Sequence, residues 1–418
     1  LAFMFVISAL LMHIGISLYA GALVFEEFFG INVYASILII SVVTGIYTVV
    51  GGLKAVVVTE TIQTVILLLG AVIVTMLALF KLPEVGINSW GAFMAATKDN
   101  QMSMLHTSNE QGFAWYSFLL GYPILGLWYW CSDQTIVQRT LGAKSELDAQ
   151  QGALFAGLLK TLPVVLMVLP GVLAYVLFKD IIGDQATNTL PVLINELVPT
   201  GLRGFISAAL LAALMSTIAA ALNSAGTLMA MDIAPTFHPK ISDAGQVRVG
   251  RVTVVVVMVL AMLWSTQGGR FGSIFEALNK MPAQFIAPPI AAVLLWGVFW
   301  QRGTRQAGVW TLALGFGGGL IVFLFDLGLE PLGGKQWITE GLNIPFMLQA
   351  WWLFCILSVF YFVVSLMTPP PSPEQLEGIT WDHPLQVLTR GKITGIGDPR
   401  ILSAMLLALM LILYLFLA

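Results

Sequence analysis

Charged residues are scarce in this sequence of 418 residues, since Asp, Glu, Lys and Arg together make up only 10 %. Soluble globular proteins carry about 25 % of such residues, so the chain falls outside that class.

The only two cysteines, Cys131 and Cys355, lie in apolar runs, which excludes a disulfide framework and suggests small packing residues. The four histidines are scattered without an HExxH pattern, so no metal enzyme or cofactor is indicated. The net charge of −3 gives no reason to expect a nucleic-acid partner.

Hydrophobic residues are abundant, at 58 % of the chain, and the mean hydropathy is +0.89. These values predict an all-α polytopic membrane protein embedded in a lipid bilayer, organised as a single transmembrane domain over residues 1–418. Apolar stretches long enough to span a bilayer predict about eleven helices. They cover residues 1–28, 33–51, 54–80, 114–138, 149–178, 203–231, 246–267, 272–300, 307–326, 346–368 and 401–418.

The segments between the predicted spans indicate an orientation. Lys and Arg are in excess on the side that holds residue 1, which makes that side cytoplasmic. The outer segment 82–112 is expected to form a cover, and 184–198 a short helix across the external mouth. Residues 369–400, which open with PPPSP, are expected to form a cytoplasmic connector. Because Leu1 already lies in an apolar stretch, we expect two or three further spans upstream of it.

The predicted span 203–231 is built almost entirely from small residues, with two adjacent hydroxyls, Ser216 and Thr217, in its middle. A small cation held without water needs oxygen ligands such as hydroxyls and backbone carbonyls, and this pair fits that need. The alternative is that the small residues allow close helix packing while the hydroxyls bond to carbonyls four residues earlier. The span alone leaves both interpretations open.

The fourth predicted span combines helix-weakening residues with aromatic and polar side chains. Gly126 precedes the run WYWCSDQTIVQR, which contains Trp128, Tyr129, Trp130 and Asp133. Broken helices of this kind line the binding cavities of transporters, and aromatic faces beside polar groups suit a sugar ring. An interfacial aromatic belt is the alternative, but it does not explain the polar residues that follow. We therefore predict a solute site here.

A few charged residues fall inside or at the ends of predicted spans, where charge usually has a function. Lys160 needs a partner, a bound hydroxyl or water, unless it snorkels to the cytoplasmic interface. Lys280 follows Glu276 by four residues, a spacing that allows the two to satisfy each other on one helix face. Glu60 is expected to pair with Arg139, either to pin two helices together or to attract a coupled cation.

Several long motifs resemble the sodium:solute symporter family, and in particular its sodium/glucose (galactose) cotransporters. They are GGLKAVVVTETIQTVILLLGA, WYWCSDQTIVQRTLGAKS, RGFISAALLAALMSTIAAALNSAGTLMAMDI and PPIAAVLLWGVFW. The resemblance is collinear from Leu1 to about Gly319. It implies the leucine-transporter-like five-plus-five inverted-repeat fold, of which this chain lacks the first two core helices.

The resemblance also implies roles for individual residues. Sodium would bind the Ala213 carbonyl and the hydroxyls of Ser216 and Thr217. Tyr129 would form the inner aromatic gate, with Trp130 beside it, and Lys160 would contact sugar hydroxyls.

The chain differs from the family pattern at three points. Gly126 stands where the family has Asn or Thr, a sugar-binding Gln falls at Asn279 or Lys280, and Glu60 replaces the usual Asp.

These observations predict a secondary active symporter in the cell (inner or plasma) membrane that imports a glucose- or galactose-like sugar with sodium by alternating access. Other solutes of the same family, such as myo-inositol, sialic acid, proline or pantothenate, are the nearest alternative. A channel would need rings of charge or a filter sequence, and a membrane-embedded hydrolase would need a catalytic pair. Neither is found, so no enzyme is expected. The resemblance also implies a stoichiometry, because family members that carry two sodium ions have further hydroxyls one turn beyond the Ser/Thr pair. This chain has Ala219 and Ala220 there, so we predict one sodium per solute.

Overall fold

A computed structural model describes residues 1–97, 101–103, 106, 114–183, 189–268, 274–328, 334–381, 393 and 395–417, except for the side chains of 274–277. Across these residues the chain is almost entirely helical, as its composition predicts. The helices long and apolar enough to span a membrane are α1 Ala2–Phe29, α2 Val33–Lys81, α6 Glu146–Ile182, α8 Thr200–Phe237, α9 Asp243–Ser265, α10 Leu278–Phe299, α11 Arg305–Phe325, α12 Phe346–Met367 and α13 Pro399–Phe416. Shorter helices are α3 Trp90–Ala96, α4 Trp115–Cys131, α5 Gln134–Leu141 and α7 Thr189–Leu197.

Helix α2 is two antiparallel spans joined at one residue. Its 49 residues are helical except at Gly52, where φ is 60° and ψ is −164°, a conformation that essentially only glycine adopts. The Tyr47 hydroxyl donates to the Met215 carbonyl, while an added Cβ on Gly70 would contact Ala209. In a straight helix residues 47 and 70 would lie about 35 Å apart, whereas residues 209 and 215 are separated by only about 9 Å. The chain therefore reverses at Gly52.

Counting α2 as two spans and adding the 17-residue α4 raises the nine long helices in the described part of the chain to eleven, in agreement with the sequence. Four of these spans are interrupted by π-helical turns, which are frequent at functional sites. The turns are Ala9–Ile14 in α1, Val164–Val168 in α6, Met229–Ile233 in α8 and Pro282–Ile286 in α10.

Two large apolar clusters meet along α1. Met12 belongs to the cluster formed with Trp128 of α4 and Phe285 of α10. Its neighbour Ile14 belongs to the second cluster, with residues of α2, α8 and α9. Helix α1 therefore lies between the two clusters, and its residues near Met12 and Ile14 contact both of them.

Small residues bring α8 and α9 close together. A Cβ added to Gly226 of α8 would lie 3.1 Å from the Gly250 carbonyl oxygen of α9. This contact supports the packing interpretation for the C-terminal half of α8.

The segments between spans are only partly described. Helix α7 lies within the outer segment where a short helix is expected. The described part of the expected outer cover begins with a 3-10 helix, Leu82–Val85, and continues with α3. Of the connector 369–400, residues 382–392 and 394 lie outside the described residues.

Candidate functional site

The fourth span breaks between α4 and α5. The Trp128 carbonyl accepts hydrogen bonds from the Ser132 amide at 3.1 Å, the Asp133 amide at 2.9 Å and the Ser132 hydroxyl at 2.7 Å, which ends α4. Asp133 then caps α5, because its Oδ1 accepts from the Thr135 amide at 2.8 Å and from the Thr135 hydroxyl. The fourth predicted span is thus a broken helix, but the break lies at Ser132 and Asp133, whereas α4 is continuous through Gly126.

The aromatic run at this break faces two ways. Trp128 is buried, with 3 % of its surface exposed, whereas Trp130 is 41 % exposed. The Tyr129 and Trp130 rings meet edge to face, with centroids 5.1 Å apart. A Cβ on Gly126 would reach the Trp130 ring at 3.9 Å, so Gly126 lies beside that ring. The buried Trp128 therefore anchors the run, and Trp130 presents an open ring face.

Lys160 joins this group from α6. Its Nζ lies 5.5 Å from the centroid of the Trp130 ring, within the range of a cation–π contact. The residue ends the first helical segment of α6, at a turn before the π-helical segment, and its surface is largely exposed. Four of the sequence-predicted solute-site residues, Gly126, Tyr129, Trp130 and Lys160, therefore form one cluster. Together they offer a cation and aromatic faces to a polar, ring-shaped solute.

The candidate sodium ligands lie on one turn of α8. The Thr217 hydroxyl donates to the Ala213 carbonyl at 3.3 Å, which is the back-bonding geometry of the alternative interpretation. A donating hydroxyl keeps its lone pairs, so this bond does not prevent Thr217 from binding a cation. The donor set of Ala213, Ser216 and Thr217 fits sodium chemically, and the remaining oxygens must come from elsewhere.

Helix α5 is held in place by polar contacts with two spans. Arg139 binds both carboxylate oxygens of Glu60, with Nη2 2.5 Å from Oε1 and 2.7 Å from Oε2. Gln138 donates to the Ala220 carbonyl at 3.5 Å and accepts from Asn223 at 3.2 Å, both on α8. The sequence-predicted pair Glu60–Arg139 is therefore present and links α2 to α5. Its bidentate geometry gives it a structural role, and a role in coupling stays a prediction.

Lys280 lies in a buried polar network at the end of α11, and its contact with solute, or that of Asn279, stays a prediction. Its Nζ donates to the Asp326 carbonyl at 2.6 Å and to Gln336 Oε1 at 2.9 Å, and it forms an ion pair with Asp326 Oδ2 at 3.3 Å. These contacts give the buried ammonium protein partners, so it is satisfied within the fold. Pairing with Glu276 lies outside the described residues, and Asn279 is half-buried.

The Asp326 carboxylate is the centre of that network and is fully buried. It accepts from the Thr339 amide at 2.8 Å, the Thr339 hydroxyl at 2.6 Å and Gln284 at 2.9 Å. Burial alone would raise the pKa of Asp326, but the hydrogen bonds from Thr339 and the charge of Lys280 outweigh it and hold the pKa below its usual range.

Sequence reasoning missed several polar residues with clear structural partners. His13 was weighed only as a metal ligand, yet its Nε2 lies 3.2 Å from Asp133 Oδ2. Gln284 and Gln349 are buried in α10 and α12 and bond to each other at 2.7 Å. The available signal was a polar residue inside an apolar span, which predicts a buried partner but does not identify it.

Broken helices that carry polar sites within a polytopic helical bundle are characteristic of secondary transporters. A family model described as the sodium:solute symporter family matches residues 1–315. The chain belongs to that family, whose members are transporters and not enzymes.

Several known proteins are similar to this chain. It is 33 % identical to the sodium/mannose cotransporter of Bos taurus, with 92 % of this chain and 70 % of the relative covered. It is 31 % identical to the sodium/myo-inositol cotransporter 2 of Oryctolagus cuniculus, covering 91 % of this chain and 61 % of the relative. A substrate-bound, outward-open Na+-coupled sialic acid symporter has a TM-score of 0.67 and 19 % identity over 88 % of this chain and 75 % of that one. This likeness shows the leucine-transporter-like fold.

Proposed function

We propose that the protein imports a sugar or a similar polyhydroxylated solute together with sodium across a cell (inner or plasma) membrane. The observation that carries this proposal is the cluster at the α4 break, where Lys160 lies over the Trp130 ring and Tyr129 packs against it. An aromatic face can cover the C–H face of a sugar while an ammonium donates to its hydroxyls. The names of the mannose and myo-inositol relatives favour this chemistry.

Sodium supplies the driving force in this proposal. The ion is transported cargo, held by the Ala213 carbonyl and the hydroxyls of Ser216 and Thr217, which lie on one turn of α8. One sodium moving down about 100 mV gains ~2.3 kcal/mol before its concentration term, enough to accumulate a neutral solute. Sodium that crossed the membrane without being coupled to the sugar would not concentrate the sugar. Coupling between the two is therefore the property to test.

Uptake into proteoliposomes tests the proposal. The protein is reconstituted and offered radiolabelled mannose, glucose, galactose and myo-inositol, with sialic acid, proline and pantothenate as further arms. We expect saturable accumulation of at least one polyol or sugar that disappears when the sodium gradient is collapsed. Accumulation of proline or pantothenate alone would reject the sugar proposal, and uptake that ignores sodium would reject coupling.

A further inference from the structure

A buried pair of titratable side chains joins α1 to the break between α4 and α5. His13 and Asp133 lie 120 positions apart in sequence, and they meet at 3.2 Å. His13 is 9 % exposed and Asp133 only 2 %. A carboxylate so deeply buried in a membrane protein is costly unless a donor satisfies it, so this contact constrains both residues.

Asp133 holds three structural elements at one point. Its amide donates to the Trp128 carbonyl at the end of α4, and its Oδ1 caps the start of α5 through Thr135. Its other oxygen, Oδ2, is bound by His13 of α1. The direction in which the chain leaves α4 therefore depends on where α1 places His13.

The His13 ring also supports the aromatic run directly. It stacks on Trp128 at 6.2 Å between centroids with an interplanar angle of 19°, and lies 6.1 Å from the Tyr129 ring. The buried Trp128 indole N–H has no hydrogen-bond partner among the described residues, so within this part of the chain the ring is held by packing. His13 itself stands in the π-helical turn Ala9–Ile14.

We propose that His13 is a positioning residue for the solute site, an inference that rests on the proposed function above. Within the described part of the chain, the polar and ring contacts of His13 are with Asp133, Trp128 and Tyr129, and not with Lys160 or Trp130. Through Asp133 it fixes the end of α4, and through its ring it supports Trp128 and Tyr129. Trp130 then keeps its face toward Lys160, and the solute meets a preformed cluster.

Three variants of the full chain test this role in proteoliposomes. His13→Phe keeps a ring against Trp128 but removes the donor to Asp133, and we expect the half-saturating solute concentration to rise about tenfold. His13→Gln restores an N–H donor and should stay within about threefold of the unmodified protein. His238→Gln changes an exposed histidine and serves as the matched control, with no expected change.

The double variant His13→Phe with Asp133→Asn separates positioning from charge compensation. It leaves no unpaired carboxylate, so it should accumulate in the membrane even if His13→Phe does not. A half-saturating solute concentration that stays raised in the double variant supports the positioning role of His13. Recovery of the unmodified value, or a His13→Phe variant that loses only maximal rate per transporter, overturns it. If the unmodified protein shows no sodium-driven uptake, the proposed function fails as well, whereas normal uptake with silent variants overturns the positioning role alone.

Discussion

Lys160 and Lys280 carry the same charge inside predicted spans, and the structure gives them opposite surroundings. Lys280 is 6 % exposed, and its ammonium has acceptors in a network centred on Asp326. Lys160 is exposed and contacts the face of Trp130, and within the described residues it forms no ion pair. A buried ammonium with protein partners stabilises the fold, whereas an exposed one can donate to a ligand. Burial and the partners already present therefore separate the two roles.

The largest effect that would test this contrast is expected at Lys280. Lys280→Met leaves the buried Asp326 carboxylate without its cation, which should cost about 3–5 kcal/mol of stability. We expect a clear drop in the thermal unfolding midpoint of the detergent-solubilised protein and in its abundance in the membrane. Lys335→Met removes an exposed lysine near the network and is the control. Unchanged stability with a raised half-saturating solute concentration would instead return Lys280 to the solute site.

The opposite pattern is expected at Lys160. Lys160→Ala should raise the half-saturating solute concentration about tenfold, because donors to solute hydroxyls are lost, while the unfolding midpoint barely moves. Lys160→Arg keeps a cation over Trp130 and should be milder. Equilibrium binding and uptake kinetics on matched amounts of protein give both values. A destabilised Lys160→Ala with normal affinity would erase the distinction between the two lysines.

The candidate sodium ligands allow a sharper comparison with Lys160. Ser216→Ala and Thr217→Ala should each raise the half-saturating sodium concentration several-fold, by roughly 1 kcal/mol per lost ligand, whereas Lys160→Ala should leave it unchanged at saturating solute. Reversal-potential measurements should give one sodium per solute, because Ala219 and Ala220 are buried methyl groups. A coupling ratio near two would contradict the interpretation of those alanines.

The smallest effect concerns acid stability. The folded-state pKa of Asp326 lies below its usual value, so its ionisation stabilises the fold fully above about pH 4, the unfolded pKa, and this contribution declines as the pH falls toward the folded pKa. The unfolding midpoint should therefore drop on acidification below that point. Asp326→Asn should start lower and lose less over the same range, and parallel acid profiles for both proteins would show that Asp326 is not responsible.

Much of the fold could be predicted from the sequence, because the length of an apolar stretch and its content of small residues determine structure locally. The eleven spans and the turn at Gly52 follow from such patterns, whereas the fourth span breaks at Ser132 and Asp133 and not at Gly126. The partners of polar residues did not follow, since His13 meets Asp133 and Lys280 meets Asp326 across long stretches of chain. The Glu60–Arg139 pair was found because both residues stand near helix ends on the same predicted side.

The reversal at Gly52 has a consequence for how the protein is made. One residue turns the chain, so no polypeptide is available to rest on the membrane surface between the two halves of α2. The halves are expected to enter the bilayer together during synthesis, as a helical hairpin, and not as successive single spans. Lengthening this turn would therefore alter the order of membrane insertion before it altered transport.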